Sequence, residues 1–198
     1  MIRLGLTGGI GMGKSTAANL LVSRGAKVSD SDQLARELVE PGEPALLEIV
    51  KLFGSGVLQR DGSLDRDIVG ELVFSDPVAL KSLEGVLHPR IREIRQAQFN
   101  GWESLGVRLG VAVVPLLCEA SMESEFDKVV CVACSSSIQK ERLRGRGWSE
   151  DQINRRIRAQ ITVEEKMHRS DYVIWSDGPI AAHAAQWDAL LSSWDSEG

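Results

Sequence analysis

Five short runs of apolar residues alternate with segments of helical periodicity along most of this chain. The runs cover residues 2–6, 26–29, 109–114, 128–133 and 172–175. Several of them are rich in valine and nearly continuous, as is typical of strands that are covered by helices on both faces. Because strands that alternate with helices usually join one parallel sheet, the pattern predicts an α/β fold with five parallel strands.

Two segments between these strands are mainly helical. Residues 41–104 contain helical patterns and turn signals but no clear strand, which indicates a helical insert. Residues 136–169 carry more arginines and lysines than acidic residues, and a mobile lid that closes over a phosphate group needs such positive charge. The sequence therefore predicts a single folded unit over residues 1–198. Its core covers about residues 1–40, 105–140 and 170–198, its insert about 41–104 and its lid about 141–169.

The composition narrows the class of protein. The formal net charge of −5 argues against a general polyanion-binding surface, so nucleic acid is not an expected partner. The chain passes from Met1 directly into a glycine-rich loop and has no apolar run long enough to span a membrane, so we expect a cytoplasmic protein without a membrane partner. Cys118, Cys131 and Cys134 are expected to be reduced and buried, although the spacing of the last two also fits half of a zinc site or a redox pair.

A phosphate-binding loop is predicted directly after the first strand. The residues Gly8-Gly-Ile-Gly-Met-Gly13-Lys14-Ser15 match the Walker A pattern and precede a helical segment. Glycines let backbone N–H groups converge on phosphate oxygens, and the helix N-terminus adds a favourable dipole. Lys14 is then expected to bridge the β- and γ-phosphates of ATP, and Ser15 to ligate Mg²⁺. A plain glycine-rich turn is the alternative, whereas a dinucleotide fingerprint fails because Lys14 stands where its third glycine belongs.

Two aspartates follow the second predicted strand. Asp30 and Asp32 lie at the carboxyl end of that strand, which is the edge of a parallel sheet at which ligands bind. One carboxylate there can accept the proton of an attacking hydroxyl, and another can hold Mg²⁺. Asp32 also precedes a helical segment that begins at Gln33, so a role as the N-cap of that helix stays open.

Other candidate residues each have an ordinary alternative. Glu119 follows the third predicted strand and could assist Mg²⁺ or a substrate hydroxyl. For any single arginine of residues 136–169, a solvated helix face is the alternative to a contact with ATP. His88 precedes Pro89 in a helical pattern, and a lone histidine is more often a surface or core residue than a catalyst.

Seven motifs are distributed over nearly the whole chain. They are Leu6-Thr-Gly-Gly-Ile-Gly-Met-Gly-Lys-Ser-Thr16, Asp30-Ser-Asp-Gln-Leu-Ala-Arg36, Val39-Glu-Pro-Gly42, Leu87-His-Pro89, Val114-Pro-Leu-Leu-Cys-Glu119, Arg156-Ile-Arg-Ala-Gln160 and Ser170-Asp-Tyr-Val-Ile174. With these motifs in this order, the chain resembles the dephospho-coenzyme A kinase family, which catalyses the last step of coenzyme A synthesis.

The resemblance implies a three-layer α/β/α P-loop kinase with a helical substrate-binding insert and a helical lid. It implies transfer of phosphate from ATP, with Mg²⁺, to the ribose 3′-hydroxyl of dephospho-coenzyme A. Asp32 matches the family's proposed general base, and Lys14 and Arg142 are the other implied catalytic residues. The implied ATP-binding residues are Gly9, Gly11, Met12, Gly13, Lys14, Ser15, Thr16, Arg142 and Arg156. The implied substrate-binding residues are Asp32, Arg36, His88, Arg92 and Glu119, and the implied metal ligands are Ser15 and Asp32.

The chain departs from the family pattern at a few positions. Ser31 replaces the usual alanine between the two aspartates, and Cys118 stands where an aromatic or aliphatic residue is common. The family usually has an asparagine near Ser176 that lies by the nucleotide base. The contacts of this chain with adenine are therefore open at that point.

Three alternative functions stay under consideration. Other kinases of small acceptors, such as nucleoside monophosphate or shikimate kinases, share the phosphate loop, but the Asp-x-Asp and His-Pro elements argue against them. Asp67-Ile-Val-Gly70 superficially resembles the D-x-x-G of a nucleotide-dependent switch, yet the sequence has no Asn-Lys-x-Asp guanine signature. A kinase fold without activity is opposed by the presence of Lys14, Ser15 and Asp32. The oligomeric state is left open.

Overall fold

The five predicted strands form one sheet in the computed structural model, which describes residues 1–196 and the side chains of residues 1–194. The strands are β1 (Ile2–Thr7), β2 (Lys27–Asp30), β3 (Leu109–Val113), β4 (Lys128–Ala133) and β5 (Tyr172–Trp175). Their order in the sheet is β2-β3-β1-β4-β5. Strand β1 pairs in parallel with β3 and β4, and β4 pairs in parallel with β5. The predicted parallel five-stranded sheet is confirmed, and no strand boundary differs from its prediction by more than one residue.

Helices connect the strands. They are α1 (Lys14–Val22), α2 (Ser31–Glu37), α3 (Pro44–Phe53), α4 (Arg66–Ser75), α5 (Pro77–Ser104), α6 (Ser136–Arg144), α7 (Glu150–Arg158), α8 (Val163–His168) and α9 (Ile180–Ser196). Short 3₁₀ helices cover Ser55–Val57 and Glu123–Glu125. Among residues 1–196, no helix combines the length and the apolar character needed to cross a membrane.

Both faces of the sheet are covered. Leu4 of β1 packs on one face with Trp187 of α9, and both side chains are fully buried. On the opposite face, a Cβ added to Gly5 would lie 2.7 Å from Leu117 and 2.8 Å from Phe126. Because successive residues of a strand point to opposite faces, these contacts show one packed layer on each side. The predicted three-layer α/β/α fold is confirmed.

The chain divides into two compact units. The first comprises residues 1–29 and 101–198, and the second comprises residues 30–100. The second unit has its own apolar core, in which Leu46, Ile49 and Val57 are almost completely buried. Beyond Asp30, the last residue of β2, the unit consists mainly of helices and includes an isolated β-bridge between Leu58 and Leu64.

The predicted helical stretch over residues 136–169 is divided into α6, α7 and α8. Ser149 is the N-cap of α7 and forms a capping box with Gln152. The Ser149 hydroxyl accepts from the Gln152 amide, and the Gln152 side chain accepts from the Ser149 amide. Thr162 is the N-cap of α8, and its hydroxyl accepts from the Glu165 amide. Because a side-chain cap satisfies amide groups at a new helix start, these residues favour three short helices over one long one.

A buried ion pair joins α8 to the segment that follows β3. The Lys166 ammonium is fully buried and donates to Glu119 Oε2 at 2.7 Å and to the Pro115 carbonyl oxygen at 2.8 Å. Glu119 Oε1 accepts from the Ile161 amide at 3.2 Å. Both carboxylate oxygens of Glu119, a predicted substrate-binding residue, are thus engaged inside the protein. A buried charge is costly without its partner, so the pair ties α8 to the sheet layer.

We expect Glu119→Ala to lower the free energy of unfolding by about 3–5 kcal/mol, because the Lys166 ammonium would stay buried without its partner. The double variant Glu119→Ala with Lys166→Met is expected to recover most of this loss, because the buried charge is gone. Urea unfolding measures both effects, and Glu164→Ala, which removes an exposed carboxylate of α8, is the control. A single variant as stable as this control would contradict the structural role.

Candidate active site

The predicted phosphate loop connects β1 to α1. Gly8 has a φ of 143° and passes so close to β4 that a Cβ there would lie 2.2 Å from the carbonyl oxygen of Val132. Gly13 has a φ of 94° and forms the N-cap of α1 in the left-handed conformation. Both positions therefore require glycine, the first because of the neighbouring backbone and the second because of its dihedral angles.

Helix α1 has no side-chain N-cap, unlike most of the other helices in the chain. Gly13 provides no side-chain cap, and the first turn contains no acidic residue. By contrast, α2, α4, α6, α7 and α8 each begin with a side chain that accepts from the first amides of the helix. The amide groups at the start of α1, together with the positive end of its dipole, therefore suit an anionic ligand such as a phosphate group.

The Lys14 ammonium lies at the same loop. It donates to the carbonyl oxygen of Gly8 at 2.8 Å and to that of Gly9 at 3.0 Å. The next two residues of α1, Ser15 and Thr16, are exposed. A cation and two hydroxyl groups thus follow one another directly at the start of the helix, and this is suitable chemistry for a triphosphate with a divalent cation.

Two glutamines hold the tip of the loop. Gln139 of α6 is 5% exposed and donates from Nε2 to the Ile10 carbonyl oxygen at 2.8 Å. Gln160, which follows α7, accepts from the Ile10 amide through Oε1 at 2.9 Å. No pattern in the sequence distinguishes Gln139 from other polar helical residues. Gln160 belongs to one of the seven motifs, and the contact gives it a role that the motif alone did not show.

Arg142, predicted to act on ATP, lies beside this loop. Its Nη1 donates to Ser176 Oγ at 2.9 Å, and its Nη2 donates to the Ser176 carbonyl oxygen at 2.5 Å. A Cβ added to Gly13 would lie 3.6 Å from Nη1. The structure therefore brings Arg142 next to the residue that precedes Lys14. Ser176 occupies the position near which the family usually has an asparagine, and its side chain is buried here.

Arg156, also predicted on the ATP side, contacts an aromatic ring. Its guanidinium carbon lies 4.5 Å from the centroid of the Trp148 ring, which is a cation–π geometry. Arg156 is in the last turn of α7, and Trp148 lies between α6 and α7. The ring therefore restrains an exposed arginine, a function of Trp148 that the sequence did not indicate.

Asp32, the predicted general base, lies in the second unit as the second residue of α2. The N-cap of this helix is Asp30, whose Oδ1 accepts from the amide of Asp32 at 2.9 Å and from that of Gln33 at 3.2 Å. The alternative in which Asp32 caps the helix is therefore wrong. Its carboxylate is exposed in the first turn, where the helix dipole favours a negative charge.

The other predicted substrate-binding residues of the second unit are exposed cations or histidine. Arg36 is in the last turn of α2. His88 and Arg92 are one turn apart in α5, so they share a face of that helix. Pro89 lies within the same helix, directly after His88.

Cys131 of the cysteine pair and the D-x-x-G spacing both lie inside regular secondary structure. Cys131 lies inside β4, and burial raises the pKa of its thiol to about 12, which keeps it protonated. Cys118 and Cys134 are also buried and free. Within the side chains of residues 1–194, no group of three or more His, Cys, Asp or Glu residues could hold a metal ion. Asp67 and Gly70 lie inside α4, so their D-x-x-G spacing belongs to a helix.

Comparison with known sequences gives matches over nearly the whole chain. A model of the dephospho-CoA kinase family matches residues 2–182. The dephospho-CoA kinase of Bdellovibrio bacteriovorus is 42% identical over 171 residues, covering 86% of this chain and 85% of that protein. The enzyme of Anaeromyxobacter dehalogenans is 44% identical over 190 residues, covering 96% of this chain and 90% of that protein.

Solved structures of related proteins also match nearly the whole chain. A crystal structure of a Thermus thermophilus protein has 35% identity and a TM-score of 0.86, with 97% of each chain covered. Dephospho-CoA kinase from Campylobacter jejuni has 25% identity and a TM-score of 0.70, with 98% of each chain covered. Shikimate kinase from Acinetobacter baumannii, at 17% identity and a TM-score of 0.54, shares the fold alone. The chain therefore belongs to the dephospho-CoA kinase family.

Proposed function

We propose that this enzyme transfers the γ-phosphate of ATP to the ribose 3′-hydroxyl of dephospho-CoA and releases CoA and ADP, the last step of CoA biosynthesis. The observation that carries the proposal is the phosphate loop, at which Lys14 and Arg142 lie beside the uncapped start of α1. Membership of the family supplies the acceptor, and the loop supplies the chemistry of the donor.

ATP would bind with its phosphates on the loop. The amides at the start of α1 would donate to phosphate oxygens, as helix N-termini do in P-loop enzymes. Lys14 would exchange its bonds with the Gly8 and Gly9 carbonyl oxygens for bonds with the β- and γ-phosphates. Arg142 and Arg156 would add positive charge from residues 141–169, which we propose as the lid.

We also propose that a magnesium ion binds together with ATP. Proteins usually hold Mg²⁺ through one or two side chains together with phosphate oxygens. The exposed Ser15 hydroxyl, next to Lys14, and the exposed Asp32 carboxylate are the ligands that we propose. When bound, Mg²⁺ would neutralise charge on the β- and γ-phosphate oxygens.

Asp32 would act as the general base of the transfer. The 3′-oxygen of the acceptor forms a bond to the γ-phosphorus, and the bond from this phosphorus to the β–γ bridging oxygen breaks. The hydroxyl proton passes to the Asp32 carboxylate. The negative charge that builds on the leaving ADP is stabilised by Lys14 and Arg142. Because Asp30 already caps α2, the Asp32 carboxylate is not required for that purpose.

The second unit would bind the acceptor. Arg36, His88 and Arg92 are exposed there, and cationic donors suit the diphosphate of dephospho-CoA. We assign the insert of residues 41–104 to this role and propose Glu119, which bonds Lys166, as an additional contact with the acceptor. The free, buried cysteines and the use of ATP fit a cytoplasmic enzyme, and we propose neither nucleic acid nor membrane as a partner.

The direct test is product formation. The purified protein, with ATP and Mg²⁺, is expected to convert dephospho-CoA into a product with one added phosphate, as measured by mass spectrometry. The 3′-deoxy analogue of dephospho-CoA is expected to give no product, because it lacks the attacking oxygen. Shikimate and adenosine monophosphate serve as competing acceptors. Phosphorylation of either of them in preference to dephospho-CoA would contradict the proposed acceptor.

Lys14→Ala is expected to lower kcat by about 10²-fold or more, because it removes a charge that stabilises the transferring phosphoryl group. Lys27→Ala removes an exposed lysine at the start of β2 and serves as the control with unchanged activity. Steady-state kinetics of both variants measure the effect. Normal turnover by Lys14→Ala would refute the role assigned to the loop.

Asp32→Asn is expected to lower kcat by about 10²- to 10⁴-fold while ATP still binds, because the amide cannot accept the proton. Asp67→Asn is a matched control: Asp67 is also exposed in the first turn of a helix, α4, and the carboxylate of Asp65 caps that helix by accepting from the Asp67 amide. Single-turnover phosphate transfer and ATP titration of both variants separate chemistry from binding. Similar, small losses in the two variants would exclude Asp32 as the base.

A further inference from the structure

Ser176 connects Arg142 to the phosphate loop. The Ser176 hydroxyl donates to the carbonyl oxygen of Met12 at 2.9 Å, and it accepts from Arg142 Nη1 at 2.9 Å. The Ser176 carbonyl oxygen accepts from Nη2 of the same guanidinium. Ser176 is 3% exposed, so its bond to Met12 is buried, and its two bonds with Arg142 are partly buried. One residue therefore fixes the arginine at two points and attaches it to the loop at a third.

The connected arginine lies where phosphate groups would bind. A Cβ added to Gly13 would lie 3.2 Å from Ser176 Oγ and 3.6 Å from Arg142 Nη1. Gly13 precedes Lys14 and forms the N-cap of α1. The position of the guanidinium is thus defined relative to the start of the helix, and the two bonds to Ser176 define it.

Helix α6 contacts the loop along one face. Gln139 bonds Ile10, and a Cβ added to Gly11 would lie 3.0 Å from Leu143. Residues 139, 142 and 143 are three and four positions apart, so they lie on the same side of the helix. Gln139 and Leu143 hold α6 against the loop, but they leave the long Arg142 side chain with several rotamers. The Ser176 bonds select one of them.

The Arg142 guanidinium donates to two uncharged oxygens of Ser176, and the nearby Asp177 carboxylate accepts from the Ser135 amide at 2.7 Å. Both Ser176 oxygens are uncharged, whereas a carboxylate in their place would neutralise the guanidinium that it held. A guanidinium carries five N–H donors, so two bonds orient the group without exhausting it. Burial lowers the pKa of the neighbouring His183, and the positive charge of Arg142 lowers it further, so the imidazole is neutral near pH 7.

We propose that Ser176 is a positioning residue, which holds Arg142 in the orientation needed to meet the phosphates of ATP. The proposal rests on the proposed function, because it assigns Arg142 to the transferring phosphate. It also explains the departure from the family's usual asparagine. The buried hydroxyl is used between Met12 and Arg142, so this side chain orients a catalytic arginine and does not read the nucleotide base.

The first test compares three serine variants. Ser176→Ala is expected to lower kcat about tenfold. The substitution removes the hydroxyl, and with it the bond to Arg142 and the bond to the Met12 carbonyl oxygen. Ser176→Thr keeps the hydroxyl and is expected to retain most of the activity. Ser193→Ala is the control, since its exposed hydroxyl donates to the Leu190 carbonyl oxygen within α9. The KM for dephospho-CoA is expected to stay unchanged in all three. Equal activity of Ser176→Ala and wild type would overturn the proposal.

The second test asks whether Ser176 acts through Arg142. In an Arg142→Ala background, adding Ser176→Ala is expected to change kcat less than about twofold, because the group to be positioned is absent. A second loss as large as the first would show that Ser176 acts independently of Arg142 and would overturn the proposal. Thermal unfolding of the four proteins in the cycle identifies losses that arise only from instability.

Titration with ATP separates this proposal from the proposed function. The affinity for ATP, measured by isothermal titration calorimetry without any acceptor, is expected to fall for Ser176→Ala only when Arg142 is present. If the wild type failed to phosphorylate dephospho-CoA, the proposed acceptor would be wrong, yet this cycle would still decide the role of Ser176. An equal loss of affinity in both backgrounds would refute the positioning role.

Discussion

Gly8 leaves β1 so close to β4 that a Cβ would lie 2.2 Å from the carbonyl oxygen of Val132. Strands β1 and β4 are paired up to Thr7, the last residue of β1, which lies opposite Cys131 of β4. The chain can turn there only through residues that tolerate positive φ angles. The start of α1 is consequently placed at the edge of the sheet where β4 and β5 also end, and every other contact of the phosphate loop depends on that placement.

The site is surrounded by polar side chains that are paired inside the protein. Gln139 and Gln160 bond the two sides of Ile10, and Ser176 joins Met12 to Arg142. Such bonds are effective because buried polar groups are costly when unpaired, so the folded chain has few other arrangements available. Rigid support of this kind keeps donors in place before the substrate arrives, which is how preorganised charge stabilises a transition state.

Helices α2 and α4 begin with the same pattern, in which one aspartate caps the helix and a second follows two residues later. Asp30 caps α2 and leaves Asp32 exposed in the first turn, and Asp65 caps α4 and leaves Asp67 in the equivalent position. The local geometry and the effect of the helix dipole are shared, so neither can assign a catalytic role. The proposed role of Asp32 rests instead on the resemblance to the family's motif and on its place two residues after the end of β2.

The sequence determined the parallel sheet, the phosphate loop and Lys14, because strand periodicity and the Walker A spacing are local properties of the chain. It also indicated Arg142, but only through the family. The tertiary structure alone decided which side chains pair with the residues of the site. Gln139 bonds Ile10, Lys166 bonds Glu119, and Ser176 bonds Arg142. Each of these pairs joins segments that are far apart in sequence, and a polar side chain shows no local pattern that identifies a distant partner. Only packing around the sheet brings the two members within hydrogen-bonding distance.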